Sequence, residues 1–145
     1  MLKRELLRKV LVIVLLSCAS AFALTSCNSF QGGSDPKSIR VTITDYAFTP
    51  NTFTVTAGAQ ISFTVTNNGA LAHNFLIMQS GYQVQDHFTD AGRMNVILTS
   101  GSIPSGQTVT TTFTAPSDPS EYQVICGMPG HFEAGMVGKL IVSEP

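Results

Sequence analysis

A chain of 145 residues with a formal charge of −1 has room for one domain and an export signal, and not for two ordinary domains. Charged residues make up only 12% of the chain, which leaves no basic stripe for nucleic acid. From Cys27 onward four Lys or Arg stand against eight Asp or Glu, a local charge of −4.

The first nine residues carry Lys3, Arg4, Arg8 and Lys9 against Glu5, and an almost uncharged run from Val10 to Leu24 follows. That run is about fifteen residues long, short of the roughly 20 a membrane helix needs. Basic, apolar and then small residues in this order form a secretory signal. Leu24-Thr25-Ser26-Cys27 resembles the bacterial lipobox, which implies cleavage before Cys27 and lipidation of its sulfur. The expected organisation is a lipoprotein signal peptide over 1–26, a lipidated flexible tether over 27–37 and a domain over 38–145. The tether, NSFQGGSDPK after Cys27, is polar and Gly/Ser-rich, with an end-to-end distance of roughly 17 Å. Cys18 leaves with the signal and Cys27 is acylated, so the domain keeps one thiol, Cys126, and no internal disulfide. A lone thiol in an exported, oxidising compartment needs burial or a bound partner.

From Ser38 the sequence changes to short alternating runs rich in Val, Ile, Thr and Phe. The strands expected are Ile39–Thr44, Thr52–Thr56, Gln60–Thr66, Ala72–Met78, Met94–Thr99, Gln107–Thr114, Glu121–Cys126 and Met136–Val142. In Ile61-Phe63-Val65 the apolar residues take every second position, and Ser62, Thr64 and Thr66 take the wet face. Turns fall at Pro50-Asn51, Ala57-Gly58, Asn67-Asn68-Gly69, Ser105-Gly106 and Pro116–Pro119. The fold class is all-β, a Greek-key sandwich of about eight strands. Residues 80–93 fit the strand pattern worst and hold either a short helical turn or an irregular crossover between sheets.

The chemistry concentrates in EYQVICGMPGHFEAGMVGKLIV, residues 121–142. Tyr122, Val124 and Cys126 share one strand face. A tight loop through Gly127-Met128-Pro129-Gly130 leads to His131, and a second loop leads to Met136. Thiolate, imidazole and thioether thus leave one hairpin end at equal intervals of five, with His73 supplied from another strand. One thiolate and two imidazoles with a weak axial thioether is the donor set of blue copper electron-transfer sites. A stiff β scaffold that holds both copper states in nearly one geometry favours fast one-electron transfer.

Here the chain resembles the cupredoxins and, within them, the auracyanins. The resemblance rests on Ala72-His73-Asn74-Phe75, Cys126, Pro129-Gly130-His131, Gly135-Met136, Gly138 and the closing Leu140–Val142 strand. Four residues between Cys and His and four between His and Met is auracyanin spacing, shared with rusticyanin; plastocyanin and azurin have shorter loops. It implies one type 1 copper held by His73, Cys126, His131 and Met136. It also implies a hydrogen bond from the Asn74 backbone to the Cys126 sulfur and a tie from the Asn74 side chain to the ligand loop. Many relatives receive that tie on a Ser or Thr after Cys; the residue here is Gly127, which puts the tie in question. Met128, Pro129 and Phe132 surround His131 with apolar surface, which reads either as loop packing or, the reading preferred here, as a docking ring for redox partners.

Read one by one, several of these residues have plainer roles. His73 in ALAHNFLIM alone is a core histidine and Cys126 alone a small buried hydrophobe; their combination makes them ligands. His87 is a surface residue, Met128 points outward, and Met78 and Met94 belong to the core. The expected function is a monomeric, membrane-anchored electron carrier on the outer face of the cytoplasmic membrane, working between membrane redox proteins, and not an enzyme. A copper enzyme needs further His clusters, and only His87 is spare. The main alternative is a periplasmic copper carrier or storage protein; a zinc module is the weakest, because thioether is a poor zinc ligand.

Overall fold

The period-two alternation of the sequence becomes, in the computed structural model, a nine-stranded β-sandwich; residues 35–145 are described. The signal peptide over 1–26, Cys27 and most of the tether lie outside the described residues. The strands are β1 (Lys37–Thr44), β2 (Ala47–Thr49), β3 (Thr52–Thr56), β4 (Gln60–Asn67), β5 (Leu76–Met78), β6 (Val96–Thr99), β7 (Thr108–Thr114), β8 (Ser120–Ile125) and β9 (Val137–Ser143). One sheet has the order β2-β1-β4-β7 and the other β3-β9-β8-β5-β6. β1 with β4 and β3 with β9 run parallel, and the remaining pairs are antiparallel. Among the described residues no helix is long and apolar enough to cross a membrane.

Alternation decides what is buried. In β4, Ile61, Phe63 and Val65 are fully enclosed, and the hydroxyls of Thr64 and Thr66 meet Thr110 and Thr108 across the outer face at 3.3 and 2.9 Å. Between the sheets Phe75 sits against Phe48, Phe53 and Phe63, with ring centroids 5.2–5.7 Å apart. Edge-on and tilted aromatic contacts of this kind add to the area the rings bury.

Three departures from the sequence reading have local causes. β2 was not expected; it is a three-residue edge strand that inserts Phe48 into the core. The strand expected over Ala72–Met78 contracts to Leu76–Met78. His73 makes only an isolated bridge to Ile103, the Asn74 amide turns to Cys126, and the Phe75 amide donates to Ser100 Oγ at 2.9 Å. The strand expected to start at Met94 begins instead at Val96, after a 3₁₀ helix over Asp90–Asn95 that Thr89 caps through the Gly92 amide. Met94 is 89% exposed, not core, because it stands on that solvated turn.

Residues 79–95 link β5 to β6, neighbours in one sheet, so they form no crossover between sheets. Instead they fold over the outer face of that sheet. Val84 joins Leu76, Met78 and Ile125 in a second apolar cluster, with Tyr82, Phe88 and Phe132 packed against it. The Gln123 side chain pins this cover by accepting from Val84 N–H at 2.8 Å and donating to Val84 C=O at 3.2 Å.

Candidate metal centre

Cys126 directly follows β8. Tyr122 and Val124 are buried in the main core, so the strand pleat brings Cys126 to the same side, fully buried. The chain then turns. His131 N–H donates to Met128 C=O at 3.1 Å, and Gly130 has a φ of 81°, a left-handed conformation suited to glycine. Met136 N–H donates to His131 C=O at 3.1 Å and Cys126 N–H to Met136 C=O at 3.3 Å, so the loop is tied at both ends. Met136 is completely buried in the same core.

His73 arrives from the opposite side of the site. It exchanges two backbone hydrogen bonds with Ile103, at 3.1 and 2.7 Å, and its side chain is fully buried. Cys126 Sγ lies 3.4 Å from His131 Nδ1 and 3.8 Å from His73 Nδ1, and the two nitrogens are 2.9 Å apart. Three buried metal-binding atoms from two distant parts of the chain therefore converge on one point. The donor set fits copper: thiolate suits Cu(I), imidazole suits both oxidation states, and a buried thioether stands next in the loop.

Electrostatics support the same reading. Burial pushes the Cys126 thiol up, and the N–H groups of Asn74 and Met128 pull it part of the way back. Burial, and then the neighbouring His73, push His131 down, which favours its neutral imidazole. A buried thiol beside a neutral imidazole becomes a good ligand pair once a cation offsets the charge of the thiolate.

The bonds around the ligands run further than the sequence reading. Asn74 N–H points at Cys126 Sγ at 3.4 Å, as expected. The tie put in question by Gly127 exists in another form: Gly127 N–H donates to Asn74 Oδ1 at 2.7 Å. A hydroxyl there is not needed, and a side chain fits only if Leu76 and Phe88 shift. A Cβ on Gly127 would lie 2.6 Å from Leu76 Cδ1 and 2.8 Å from the Phe88 ring.

Asp45, not singled out from the sequence, stands behind His73. Its Oδ1 is 2.6 Å from His73 Nε2. A carboxylate accepts only, so Nε2 carries the hydrogen and Nδ1 presents its lone pair to the site. That bond, and then the Ala70 N–H, hold the Asp45 carboxyl below the usual carboxylate range. Tyr46 packs edge-on against His131 at 5.0 Å. The sequence reading gave this pair no role; their partners are 28 and 85 positions away.

The remaining candidates fall as follows. Pro129 is exposed, Phe132 packs on the second apolar cluster, and Met128 is partly buried against the main core instead of pointing outward. Tyr46 and Leu71 are 40% and 43% exposed. His87 is exposed, as expected for a surface residue.

The chain matches the family model of copper binding proteins, plastocyanin/azurin family, over residues 37–143. It is 28% identical to auracyanin-A of Chloroflexus aurantiacus over 149 aligned positions, covering 92% of this chain and 91% of the relative. It is 32% identical to the copper-resistant cuproprotein CopI of Rubrivivax gelatinosus over 115 positions, 73% of this chain and 66% of that one. The dithionite-reduced auracyanin from the photosynthetic bacterium Roseiflexus castenholzii superimposes with a TM-score of 0.64 at 28% identity, over 76% of this chain and 99% of that one. With its sandwich fold and its convergent His73, Cys126 and His131, the chain belongs to the plastocyanin/azurin copper-binding family and is a cupredoxin that carries one type 1 copper.

Proposed function

We propose that this protein is an exported, lipid-anchored electron carrier that passes single electrons between membrane redox proteins at the outer face of the cytoplasmic membrane. The observation that carries the reading is the burial of three ligand side chains in a β framework, with His73 and Cys126 fully enclosed and His131 8% exposed. Bound copper supplies a one-electron couple between Cu(II) and Cu(I). The chain's own residues would keep the site dry and hold the donors in place whichever state is present, with Met136 as a fourth donor, a thioether. His131 is the ligand nearest solvent, beside exposed Pro129 and the edge of Tyr46. Together with Met128 and Phe132 these form a small apolar docking surface suited to brief redox contacts. The signal and lipobox reading of residues 1–27 adds the anchor, and the tether lets a monomeric domain reach its partners.

The likeness to CopI favours a second reading, a copper-binding protein that protects by sequestration. Two measurements separate them. The copper-loaded full chain is mixed with reduced native membranes, and its colour and chelator-accessible copper are followed together. An electron carrier bleaches and recovers through many cycles and retains its metal. A protein that loses copper to the chelator within those cycles, or that is never reduced by membranes, is not the carrier proposed here.

A further inference from the structure

We propose that Asp45 is a positioning residue that sets the tautomer and donor strength of His73 and thereby lowers the reduction potential of the copper site. The inference rests on the copper ligand set described above. His73 has two ring nitrogens with different surroundings: Nδ1 faces Cys126 and His131, and Nε2 is 2.6 Å from Asp45 Oδ1. With an anionic acceptor on Nε2–H, the ring gains electron density at Nδ1 and is a stronger donor to the more highly charged metal state. His131 is built differently. Among the described residues its Nε2 has no hydrogen-bond partner, so one imidazole is backed by a carboxylate and the other is not.

The carboxylate is itself held in place. Ala70 N–H and Leu71 N–H donate to it at 2.9 and 3.4 Å. The loop that supplies them is shaped by Asn67, which is fully buried. Its side chain donates to Leu71 C=O at 2.7 Å and Ile103 C=O at 2.8 Å, and accepts from Gly69 N–H at 2.9 Å. Gly69 is required, because a Cβ there would collide with the Asp45 carboxylate. Asn67 thus fixes both Ile103, which holds the His73 backbone, and the loop that aims Asp45. Three N–H groups thus meet the Asp45 carboxylate, whose side chain is 28% exposed.

The test compares Asp45→Asn with Glu133→Gln in the copper-loaded full chain by voltammetry. Glu133 is a carboxylate near His131 that bonds to no ligand, so its variant measures the effect of removing charge alone. Asp45→Asn is expected to weaken Cu(II) binding relative to Cu(I) by about tenfold, a rise in potential of about 59 mV for one electron, and to exceed the Glu133→Gln shift. A shift no larger than that of Glu133→Gln overturns the proposal. Should Asp45→Asn fail to fold, nitrogen NMR of the metal-free parent chain decides at about pH 8, above the ordinary His range. Hydrogen on Nε2 of His73 supports the assignment, and hydrogen on Nδ1 overturns it. A parent chain that binds copper without a thiolate colour refutes the ligand set itself, a failure the metal-free measurement keeps separate.

Discussion

The two sides of the copper site are made in opposite ways. The Cys126–Met136 side is one continuous loop between adjacent strands, closed by its own backbone bonds. The His73 side is gathered from Asp45, the 67–74 loop, Ser100 and Ile103, which meet only when the sandwich has formed. Three of the four ligands therefore depend mainly on local geometry and the fourth depends on the core. A mutation can damage either half alone, and the difference in outcome reports which half it struck.

The largest expected effect is Asn67→Ala, which strikes the assembled half. It strands the buried Gly69 N–H and removes the side-chain bonds to Leu71 C=O and Ile103 C=O, of which Ile103 C=O keeps the His73 N–H. At about 1–3 kcal/mol for the unsatisfied amide and about 0.5–1.5 kcal/mol for each of the two other lost bonds, denaturant titration should show a loss of at least about 2 kcal/mol. Copper affinity should fall with it, while Cys126 remains on an intact β8–β9 pair. A loss below about 1 kcal/mol would show that the His73 side does not depend on this residue.

Gly127→Ser strikes the seam between the halves. The added side chain meets Leu76 and Phe88, and overpacking of this kind costs about 1–3 kcal/mol. Thermal unfolding should record that loss, accompanied by a changed copper spectrum as the Asn74–Gly127 bond is displaced. A neutral or stabilising result would mean the 79–95 cover yields easily.

The smallest effect is a pH slope in the metal-free protein. His131 is held below its ordinary value of 6.5 in the folded state. The unfolded chain then binds more protons as pH falls through 6.5, so stability is fully present above that value and declines below it. Urea titrations of the metal-free chain at several pH values should show this decline, and bound copper, whose ligands must be deprotonated, should steepen it. Stability that rises on acidification through that range contradicts the burial assigned to His131.

How much was legible follows the same division. Alternation in Ile61-Phe63-Val65 located β4, and the turn residues bounded the other strands, because burial of one face imposes period two on the local sequence. The thiolate, imidazole and thioether of the hairpin were legible because they fall within eleven consecutive residues. β2 was not, since three residues carry too little period. Asn67 read as a turn residue and Asp45 was not singled out, for their functions come from contacts 25 to 36 positions away. Met94 was misassigned because apolar character alone does not say that a residue stands on an exposed 3₁₀ turn. Gly127 raised the right question, and only the backbone bond to Asn74 answered it.

The central claim is that His73, Cys126, His131 and Met136 hold one copper with Cys126 as thiolate. The most direct measurement is the visible spectrum of the full chain loaded with one equivalent of Cu(II), recorded beside Cys126→Ser. An intense thiolate-to-copper band in the parent, absent from the variant together with its voltammetric wave, is the predicted result. A parent with only the weak colour of an ordinary Cu(II) complex, or a variant that keeps the intense band, would contradict the account.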